Sequence, residues 1–217
     1  MIFAKIDIIN LLPFYIFIKQ HIKSSQIKQI INYKKSYPSK INKQFHAKKI
    51  DAAFISSIAS KNCKCLDVGI VAKKGVDSVL VLTNKPNKND FQSNTSNALA
   101  KILDIQGEVI IGDKALTYFY HNQQDENIVD LAKQWQKKYN LPFVFARLCI
   151  NKEFRYINNL ANKFLTTKVY IPQYILKQYA KRSGLTTKQI LDYLNKISYK
   201  ISYKEKLSLK KFLKLSD

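Results

Sequence analysis

Short apolar runs alternate with polar, periodic segments along the first half of the chain. The runs at residues 2–9, 51–55, 66–72 and 76–82 predict β-strands, and the apolar positions within 26–33 predict one more. Helical spacing predicts helices over 13–23, where Pro13 suits the first turn, and over 38–48. Strands that alternate with helices predict a mostly parallel sheet flanked by helices.

A second unit of the same kind follows a polar loop at residues 84–92. The pattern predicts a helix over 95–103, a strand over 108–111, a helix that begins at Gly112-Asp113 and helical spacing over 128–139. An apolar strand over 141–149 then carries the chain back. We therefore expect an α/β protein of two lobes: residues 1–83 plus 147–217 form lobe one and residues 84–146 form lobe two, with a ligand cleft between them.

The last third of the chain has helical spacing and predicts a helical C-terminal tail. Helices are predicted over 152–165 and 172–181, and Thr186 and Gln189 form a capping box that starts another. Exposed apolar residues on such a tail are compatible with a homodimer. Packing of the same residues into the core explains the pattern equally well.

The composition describes a globular protein with a strong positive charge. Of its 217 residues 46% are apolar, which is enough to bury a core, and 37 Lys+Arg against 15 Asp+Glu give a net charge of +22. A basic surface attracts polyanions or small anionic substrates. The lysines are spread along the whole chain, whereas arginine occurs only at Arg147, Arg155 and Arg182. This spread favours a composition bias over a nucleic-acid interface, which typically concentrates charge and uses arginine.

The cysteines, histidines and apolar runs indicate the kind of protein and its compartment. Cys63, Cys65 and Cys149 are odd in number and irregular in spacing, which predicts reduced thiols in a cytoplasmic protein. The three histidines lie far apart in the sequence, so we predict no metal site. No apolar run reaches the ~18 residues that a membrane helix needs. Lys5 and Asp7 interrupt the N-terminal apolar run, whereas the apolar region of a signal peptide is continuous. We expect no membrane partner.

Small polar residues follow several of the predicted strands. Ligands of open α/β sheets bind beyond the carboxyl ends of strands. The candidate positions at such ends are Asn10, Ser56, Ser57, Gly112 and Asp113. Ser78 differs because it lies inside an apolar run, where its hydroxyl faces either the core or the cleft. Each of these residues alone is explained by helix capping or core packing, and only their shared placement indicates a site.

The segment Ser93-Asn94-Thr95-Ser96-Asn97 opens a predicted helix with five short polar residues. A helix N-terminus presents free N–H groups and a positive dipole end, which together hold a carboxylate or phosphate. Ser93, Thr95 and Ser96 add hydroxyl donors. Ordinary N-capping needs only one of them, so the segment favours an anion site. Gly-rich phosphate loops, a dinucleotide fingerprint and a nucleophile elbow are missing from the sequence, which argues against nucleotide cofactors and covalent catalysis.

Several motifs occur together in an order that resembles a known family. They are Asn10-Leu11-Leu12-Pro13-Phe14, the segment 51–57, Thr95-Ser96 before a Leu/Ala helix, the segment 111–116 and the segments 130–135 and 141–146. Together they resemble the chorismate dehydratases of the futalosine route to menaquinone, over about residues 3 to 150. The resemblance implies a fold like that of type II periplasmic binding proteins. It implies loss of water from chorismate, a dicarboxylate, to give the enolpyruvyl ether of 3-hydroxybenzoate without a cofactor.

The resemblance also implies roles for the candidate residues. Asn10 is expected beside the reacting centre, where it orients the leaving hydroxyl or holds developing charge, since a carboxamide is no useful base. The substrate-binding residues, which hold the carboxylates, are expected to be Ser56, Ser57, Ser78, Ser93, Thr95, Ser96, Gly112 and Asp113. The sequence offers no general base, and we hypothesise that the side-chain carboxylate of the substrate accepts the proton.

Three other functions stay open at this point. A sister family that makes a dihydroxynaphthoate shares the fold, but it has a different N-terminal motif and a catalytic histidine, for which His121 is a poor candidate. A non-catalytic receptor for a small anion would share the cleft but needs an export signal. A nucleic-acid binder would explain the +22 charge and predicts steep salt dependence of binding, whereas the enzyme predicts saturable turnover of chorismate.

Overall fold

The computed structural model describes residues 1–216, which fold into two antiparallel sheets flanked by helices. The helices are α1 (Leu12–His21), α2 (Ser25–Tyr33), α3 (Pro38–His46), α4 (Asn94–Leu103), α5 (Gly112–His121), α6 (Leu131–Tyr139), α7 (Phe154–Thr166), α8 (Gln173–Ser183), α9 (Thr187–Leu194) and α10 (Tyr203–Leu215). The strands are β1 (Ala52–Ser56), β2 (Cys65–Ala72), β3 (Val79–Leu82), β4 (Glu108–Ile111), β5 (Ile128–Asp130), β6 (Phe143–Ile150) and β7 (Ile197–Lys200).

The first sheet has the strand order β1-β6-β2-β7 and the second has the order β4-β3-β5. Every ladder between these strands is antiparallel. The expected α/β class and the helical C-terminal tail are confirmed, but the expectation of mostly parallel sheets is wrong. β6 returns from the second sheet and inserts between β1 and β2, so those two strands point the same way without touching. Within residues 1–216, parallel pairing is found only in isolated bridges, such as Phe3 with Ala52.

The predicted strand over 26–33 is wrong, because this segment forms α2. The Ser24 hydroxyl caps the helix by accepting a hydrogen bond from the Ile27 amide at 3.3 Å. Ile27 and Ile31 stand four residues apart and therefore lie on one helical face, where Ile31 is buried. The predicted strand over 2–9 is reduced to bridges at Phe3 and Lys5, and a short 3-10 turn over Ile9–Leu11 follows it.

Most of the other predicted elements are confirmed. The helices that begin near Pro13 and Pro38, the helix over 95–103 and the capping box of Thr186 and Gln189 are all present. The segment 128–139 divides into β5 and α6, because Asp130 is both the last residue of the strand and the N-cap of the helix. Its Oδ1 accepts a hydrogen bond from the Lys133 amide at 3.0 Å.

The chain passes between the sheets earlier than the predicted lobe boundaries. A boundary at residue 83 assigns β3 to lobe one, yet β3 is hydrogen-bonded to β4 and β5 in the second sheet. A boundary at 146 divides β6, which belongs wholly to the first sheet. Asp130 fixes the first crossing, since its Oδ2 accepts hydrogen bonds from the Val76 and Asp77 amides at 2.6 and 2.7 Å. Residue 217 of predicted lobe one lies outside the described residues.

The expectation of three reduced thiols is also wrong. Cys65 and Cys149 face each other across the β2–β6 ladder and form a disulfide, while Cys63 is a free thiol. The two bonded residues are 84 positions apart in the sequence. Their pairing follows from the strand register and not from any local spacing of cysteines.

An aromatic cluster fixes the N-terminal segment against the first sheet. The ring of Phe14, at the start of α1, packs edge-on against Phe54 of β1 and Phe164 of α7. Ile9 and Leu11 are fully buried on either side of Asn10. The turn that carries Asn10 is therefore held by core packing on both sides.

Candidate active site

A cleft of about 400 Å³ lies between the two sheets. The first sheet and its loops contribute Asn10, Ser56 and Ala146, and the second sheet with its helices contributes Ser78, Ser93 and Gly112. Seven of the nine predicted site residues line this cleft: Asn10, Ser56, Ser78, Ser93, Ser96, Gly112 and Asp113. The sequence therefore predicted six of the thirteen polar side chains that line the cleft, without knowing the direction of the strands.

Asn10 enters the cleft from the 3-10 turn over Ile9–Leu11. Its side chain is only 9% exposed, and its Oδ1 is a buried side-chain oxygen with no hydrogen-bond partner among the described residues. A buried polar atom without a partner costs about 1–3 kcal/mol. Within a cleft, such an atom is typical of a group kept ready for a ligand.

Two tyrosines of the C-terminal tail contact the residues Asn10 and Ser78 of the cleft wall. The Tyr199 hydroxyl donates to the Asn10 carbonyl oxygen at 2.6 Å. The Tyr193 hydroxyl lies 2.8 Å from Ser78 Oγ. Burial raises the pKa of Tyr193, and the hydrogen bond with Ser78 opposes that rise only in part. Tyr193 is therefore a neutral hydroxyl that contacts Ser78.

Ser56 stands at the carboxyl end of β1 and is fixed by Asn42 of α3. The Asn42 Nδ2 donates to Ser56 Oγ at 2.7 Å, and Asn42 Oδ1 accepts from the Ser56 amide at 3.2 Å. Because Asn42 supplies the donor, the hydroxyl proton of Ser56 stays available to a ligand.

The start of α4 presents hydroxyls and amides to the cleft. Ser93 caps the helix by accepting from the Ser96 amide at 3.2 Å, and the two hydroxyls lie 2.8 Å apart. Both side chains are buried and both line the cleft. The positive end of the helix dipole and one free hydroxyl proton of the Ser93–Ser96 pair therefore meet at one wall.

The start of α5 is arranged differently, because its carboxylate already has partners. Asp113 Oδ1 accepts from the Ile9 amide at 2.9 Å, and its Oδ2 accepts from Arg182 Nη2 at 2.5 Å. Burial raises the pKa of Asp113, although the Ile9 amide and Arg182 oppose the rise. Gly112 precedes it with φ of +64°, and the Gly112 amide donates to the Ser78 carbonyl at 2.8 Å. Asp113 thus ties the Asn10 turn to α5 and to the tail.

Asp7 extends this ion network along the same wall of the cleft. It contacts Arg182 Nη1 at 3.0 Å and accepts from the Tyr179 hydroxyl at 2.8 Å. Burial alone would raise its pKa, but the Tyr179 hydrogen bond with the charges of Lys5 and Arg182 outweighs burial and lowers the pKa to about 2.

The structure leaves Ser57 and Thr95 out of the cleft. The Ser57 hydroxyl donates to the Val144 carbonyl, and Thr95 Oγ1 accepts from the Ile58 amide at 3.1 Å. Both side chains are buried and fasten the loop after β1 to its neighbours. Their hydroxyls have structural partners already.

The cleft rim carries charged and aromatic residues that the sequence did not single out. Lys88 pairs with Glu108 at 3.2 Å, while Lys114 is exposed in the first turn of α5. Phe91 is 73% exposed at the mouth and packs edge-on against Tyr37. Lys114 lies within the segment 111–116 of the family motifs, so the sequence could have identified it as a site residue. Asn42 and Tyr193 could not be identified from the sequence, because each reaches the site from a distant helix.

Two absences can be reported for the part of the chain that the structure covers. No helix within residues 1–216 has both the length and the apolar character needed to cross a bilayer. Within the same residues, no three His, Cys, Asp or Glu side chains come together as metal ligands would.

Residues 92–217 match the protein family described as menaquinone biosynthesis. The chain is 49% identical to the chorismate dehydratase of Campylobacter jejuni over 99% of this chain and 96% of that protein. A crystal structure of an Archaeoglobus fulgidus protein matches with a TM-score of 0.66 at 12% identity, covering 99% of this chain and 95% of the other. A Candida albicans protein described as having the generic periplasmic binding protein fold matches with a TM-score of 0.50 at 10% identity. The match covers 99% of this chain and 89% of the other. These structural likenesses confirm the predicted fold.

Proposed function

Because the chain belongs to the chorismate dehydratase family of menaquinone biosynthesis, we propose that it eliminates water from chorismate in the cleft between its two sheets. Chorismate carries two carboxylates and a ring hydroxyl. Loss of that hydroxyl with a neighbouring ring hydrogen makes the ring aromatic, so the substrate itself supplies the thermodynamic drive. The protein then has to position the substrate, exclude water and assist proton transfer.

Asn10 is the residue we assign to the leaving hydroxyl. The observation that carries this assignment is the buried, unpartnered Asn10 Oδ1 in the wall of the cleft. A substrate hydroxyl can satisfy this oxygen by donating to it, which orients the C–O bond that breaks. The amide also remains neutral throughout the reaction, so it orients the leaving hydroxyl without exchanging a proton.

The carboxylates of chorismate fit the start of α4. Ser93 and Ser96 add their hydroxyls to the positive end of the helix dipole, and the Ser56 hydroxyl faces the same space. Lys114 adds a positive charge at the rim. Paired hydrogen bonds to a carboxylate are stronger than those between neutral groups, so this wall supplies orientation as well as affinity.

The proton acceptor in this proposal is the side-chain carboxylate of the substrate, which takes the ring proton as the C–O bond breaks and passes it to the departing hydroxide, so that both leave as water. Asp7 and Asp113 line the cleft together with Asn10, and both are engaged by Arg182. Asp7, with its pKa lowered to about 2, is too weak a base to take a proton from carbon. A carboxylate carried by the substrate avoids the need for a protein base at this position.

The activity test is to mix purified protein with chorismate and follow the loss of water by mass spectrometry. We expect saturable turnover. The Asn10→Asp variant should lower kcat/KM about a hundredfold or more, because a charged group replaces a neutral one at the leaving hydroxyl. Asn84→Asp, which adds the same charge at an exposed loop position, is the matched control and should match wild type. Undiminished turnover by Asn10→Asp would contradict the role of Asn10.

Three finer points belong to the same proposal. The reaction needs no cofactor, which is tested by turnover after exhaustive dialysis against a chelator. The enzyme works in the cytoplasm, which the biosynthetic role of its relative supports and cell fractionation tests. A homodimer through the helical tail stays a prediction for light scattering to decide.

A further inference from the structure

We infer that Arg182 is a positioning residue that fixes the turn carrying Asn10 against α5, so that Asn10 faces the leaving hydroxyl; this inference rests on the proposed function. Arg182 belongs to the last turn of α8 and lies outside the lining of the cleft, whereas Asn10 and Asp113 both belong to that lining. Its influence on a substrate must therefore pass through the cleft residues that it contacts.

Two hydrogen bonds and one peptide unit connect Arg182 to Asn10. Arg182 Nη2 donates to Asp113 Oδ2 at 2.5 Å, and Asp113 Oδ1 accepts from the Ile9 amide at 2.9 Å. Ile9 directly precedes Asn10 and opens the 3-10 turn, where the first N–H groups have no partner within the turn itself. The Asp113 carboxylate therefore sets where this turn, and with it Asn10, stands relative to α5.

The guanidinium of Arg182 spans two carboxylates that come from different parts of the fold. Its Nη1 lies 3.0 Å from Asp7 Oδ2, in the N-terminal segment that meets β1, and its Nη2 reaches Asp113 in the helix that follows β4 of the second sheet. The planar fork of an arginine allows both contacts at once, whereas the ammonium of a lysine is a single point charge. Arg182 thus holds the N-terminal segment and α5 at a fixed separation.

Other contacts hold Arg182 itself in place. Its Cζ lies 4.2 Å from the centroid of the Tyr179 ring, and the Tyr179 hydroxyl donates to Asp7 Oδ1 at 2.8 Å. The next residue along the chain, Ser183, accepts a hydrogen bond at its carbonyl from Thr117 Oγ1 of α5 at 2.8 Å. The end of α8 is therefore fastened to α5 beside Arg182, which suits this arginine to position a neighbour.

The charge of Arg182 also strengthens the bond between Asp113 and Ile9. Burial raises the pKa of Asp113, and the Ile9 amide and Arg182 oppose that rise by favouring the carboxylate. A carboxylate accepts a hydrogen bond from an amide more strongly than a neutral carboxyl group does. Loss of Arg182 therefore weakens the contact that fixes the Asn10 turn.

The kinetic test compares steady-state turnover of chorismate by wild type, Arg182→Ala and Arg155→Ala at matched folded fraction, verified by thermal melting. Arg155 is exposed in the first turn of α7, so Arg155→Ala is the control for the loss of one arginine and should match wild type. We expect Arg182→Ala to lower kcat about tenfold with KM within about threefold of wild type, because misorientation of a reacting group lowers the rate more than the binding. A wild-type kcat for Arg182→Ala would overturn the inference.

A double-mutant cycle tests whether Arg182 acts through Asp113. In the Asp113→Asn background the carboxylate is already absent, so the addition of Arg182→Ala should lower kcat by less than about threefold further. If the addition lowered kcat as much as it does in wild type, Arg182 would act by another route and the inference would be overturned.

Amide hydrogen exchange, followed by NMR, tests the positioning without any substrate. Arg182→Ala should speed exchange of the Ile9 amide about tenfold, because it loosens the acceptor of that amide, and Arg155→Ala should leave the exchange unchanged. Unchanged exchange at Ile9 in Arg182→Ala would overturn the inference. Should Arg182→Ala not fold, Arg182→Lys takes its place, and wild-type kcat together with wild-type exchange would then overturn the inference.

These measurements separate the failure of the inference from that of the proposed function. If wild type releases no water from chorismate, the proposed function fails, and the role of Arg182 in catalysis fails with it, whatever the exchange at Ile9. An active wild type with an unaffected Arg182→Ala overturns the inference alone.

Discussion

The helices α4 and α5 both begin at the cleft with polar residues, but these residues have different hydrogen-bond partners. At α4, the Ser93 and Ser96 hydroxyls bond to each other and Ser93 Oγ accepts from the Ser96 amide, which leaves the second hydroxyl proton open to a ligand. At α5, the first turn carries Asp113, whose two oxygens are taken by Ile9 and Arg182. A polar helix start is therefore a ligand site only where the protein has not already supplied the partner.

The largest expected effect is a loss of stability when Asp113 at the start of α5 is replaced. Asp113→Ala removes the acceptor of the buried Ile9 amide and the partner of Arg182, so we expect a loss of about 3 kcal/mol in the free energy of unfolding. Asp113→Asn keeps an acceptor for Ile9 and should lose roughly half as much. Urea denaturation measures both, with Asp192→Asn, an exposed helix position, as the control expected within about 0.5 kcal/mol. Wild-type stability for Asp113→Ala would show that this helix start is as unoccupied as that of α4.

The next effect depends on pH and concerns Asp7 in the same ion network. Its pKa is lowered from 3.8 to about 2, which means that the folded protein favours the carboxylate. Asp7 therefore adds about 2 kcal/mol of stability above about pH 4, and this contribution is lost as the pH falls from about 4 towards 2. Asp113 acts with the opposite sign, because its pKa is raised: its contribution is present at low pH and lost as the pH rises through its folded pKa.

Urea midpoints of wild type and Asp7→Asn across this pH range measure the contribution of Asp7. The two curves should differ near neutral pH and approach each other near pH 2, where the folded wild-type carboxyl is half protonated and most of its charge contribution is lost. A constant gap between the curves down to about pH 2 would show that Asp7 acts through packing and not through charge.

The smallest expected effect is on substrate binding and concerns Ser96 at the start of α4. Ser96→Ala keeps the Ser93 cap but removes one hydroxyl from the cleft, so KM for chorismate should rise about tenfold, the equivalent of one hydrogen bond to a carboxylate. Ser24 caps α2 far from the cleft, and Ser24→Ala should cost about 1 kcal/mol of stability with no change in KM. If both variants left KM unchanged, the start of α4 would be an ordinary cap like that of α2.

The sequence predicted the local elements of this protein better than their arrangement. Pro13, Pro38 and the capping box at Thr186 predicted helix starts correctly, because caps act within a few residues. The direction of the strands was predicted wrongly, since apolar periodicity is the same in parallel and antiparallel sheets. α2 was missed because its isoleucines are typical of strands, although Ile27 and Ile31 have helical spacing.

The candidate site was predictable only in part, for a similar reason. Residues at strand ends and helix starts, such as Asn10, Ser56 and Ser93, could be found because their position in an element indicates the cleft. Ser57 and Thr95 share that position, and only their hydrogen-bond partners explain why they lie outside. Tyr193 was not predictable, since its contact with Ser78 joins residues 115 positions apart.

The hydrogen bond from Tyr199 to Asn10 spans 189 residues and has a consequence for biosynthesis. Ribosomes add about 5–20 residues per second, so about 10 to 40 s pass between the synthesis of Asn10 and that of Tyr199. Asn10 therefore emerges from the ribosome well before Tyr199 is made. A nascent chain can collapse around Phe14 and β1 early, yet it becomes a competent catalyst only after residue 199 has been added.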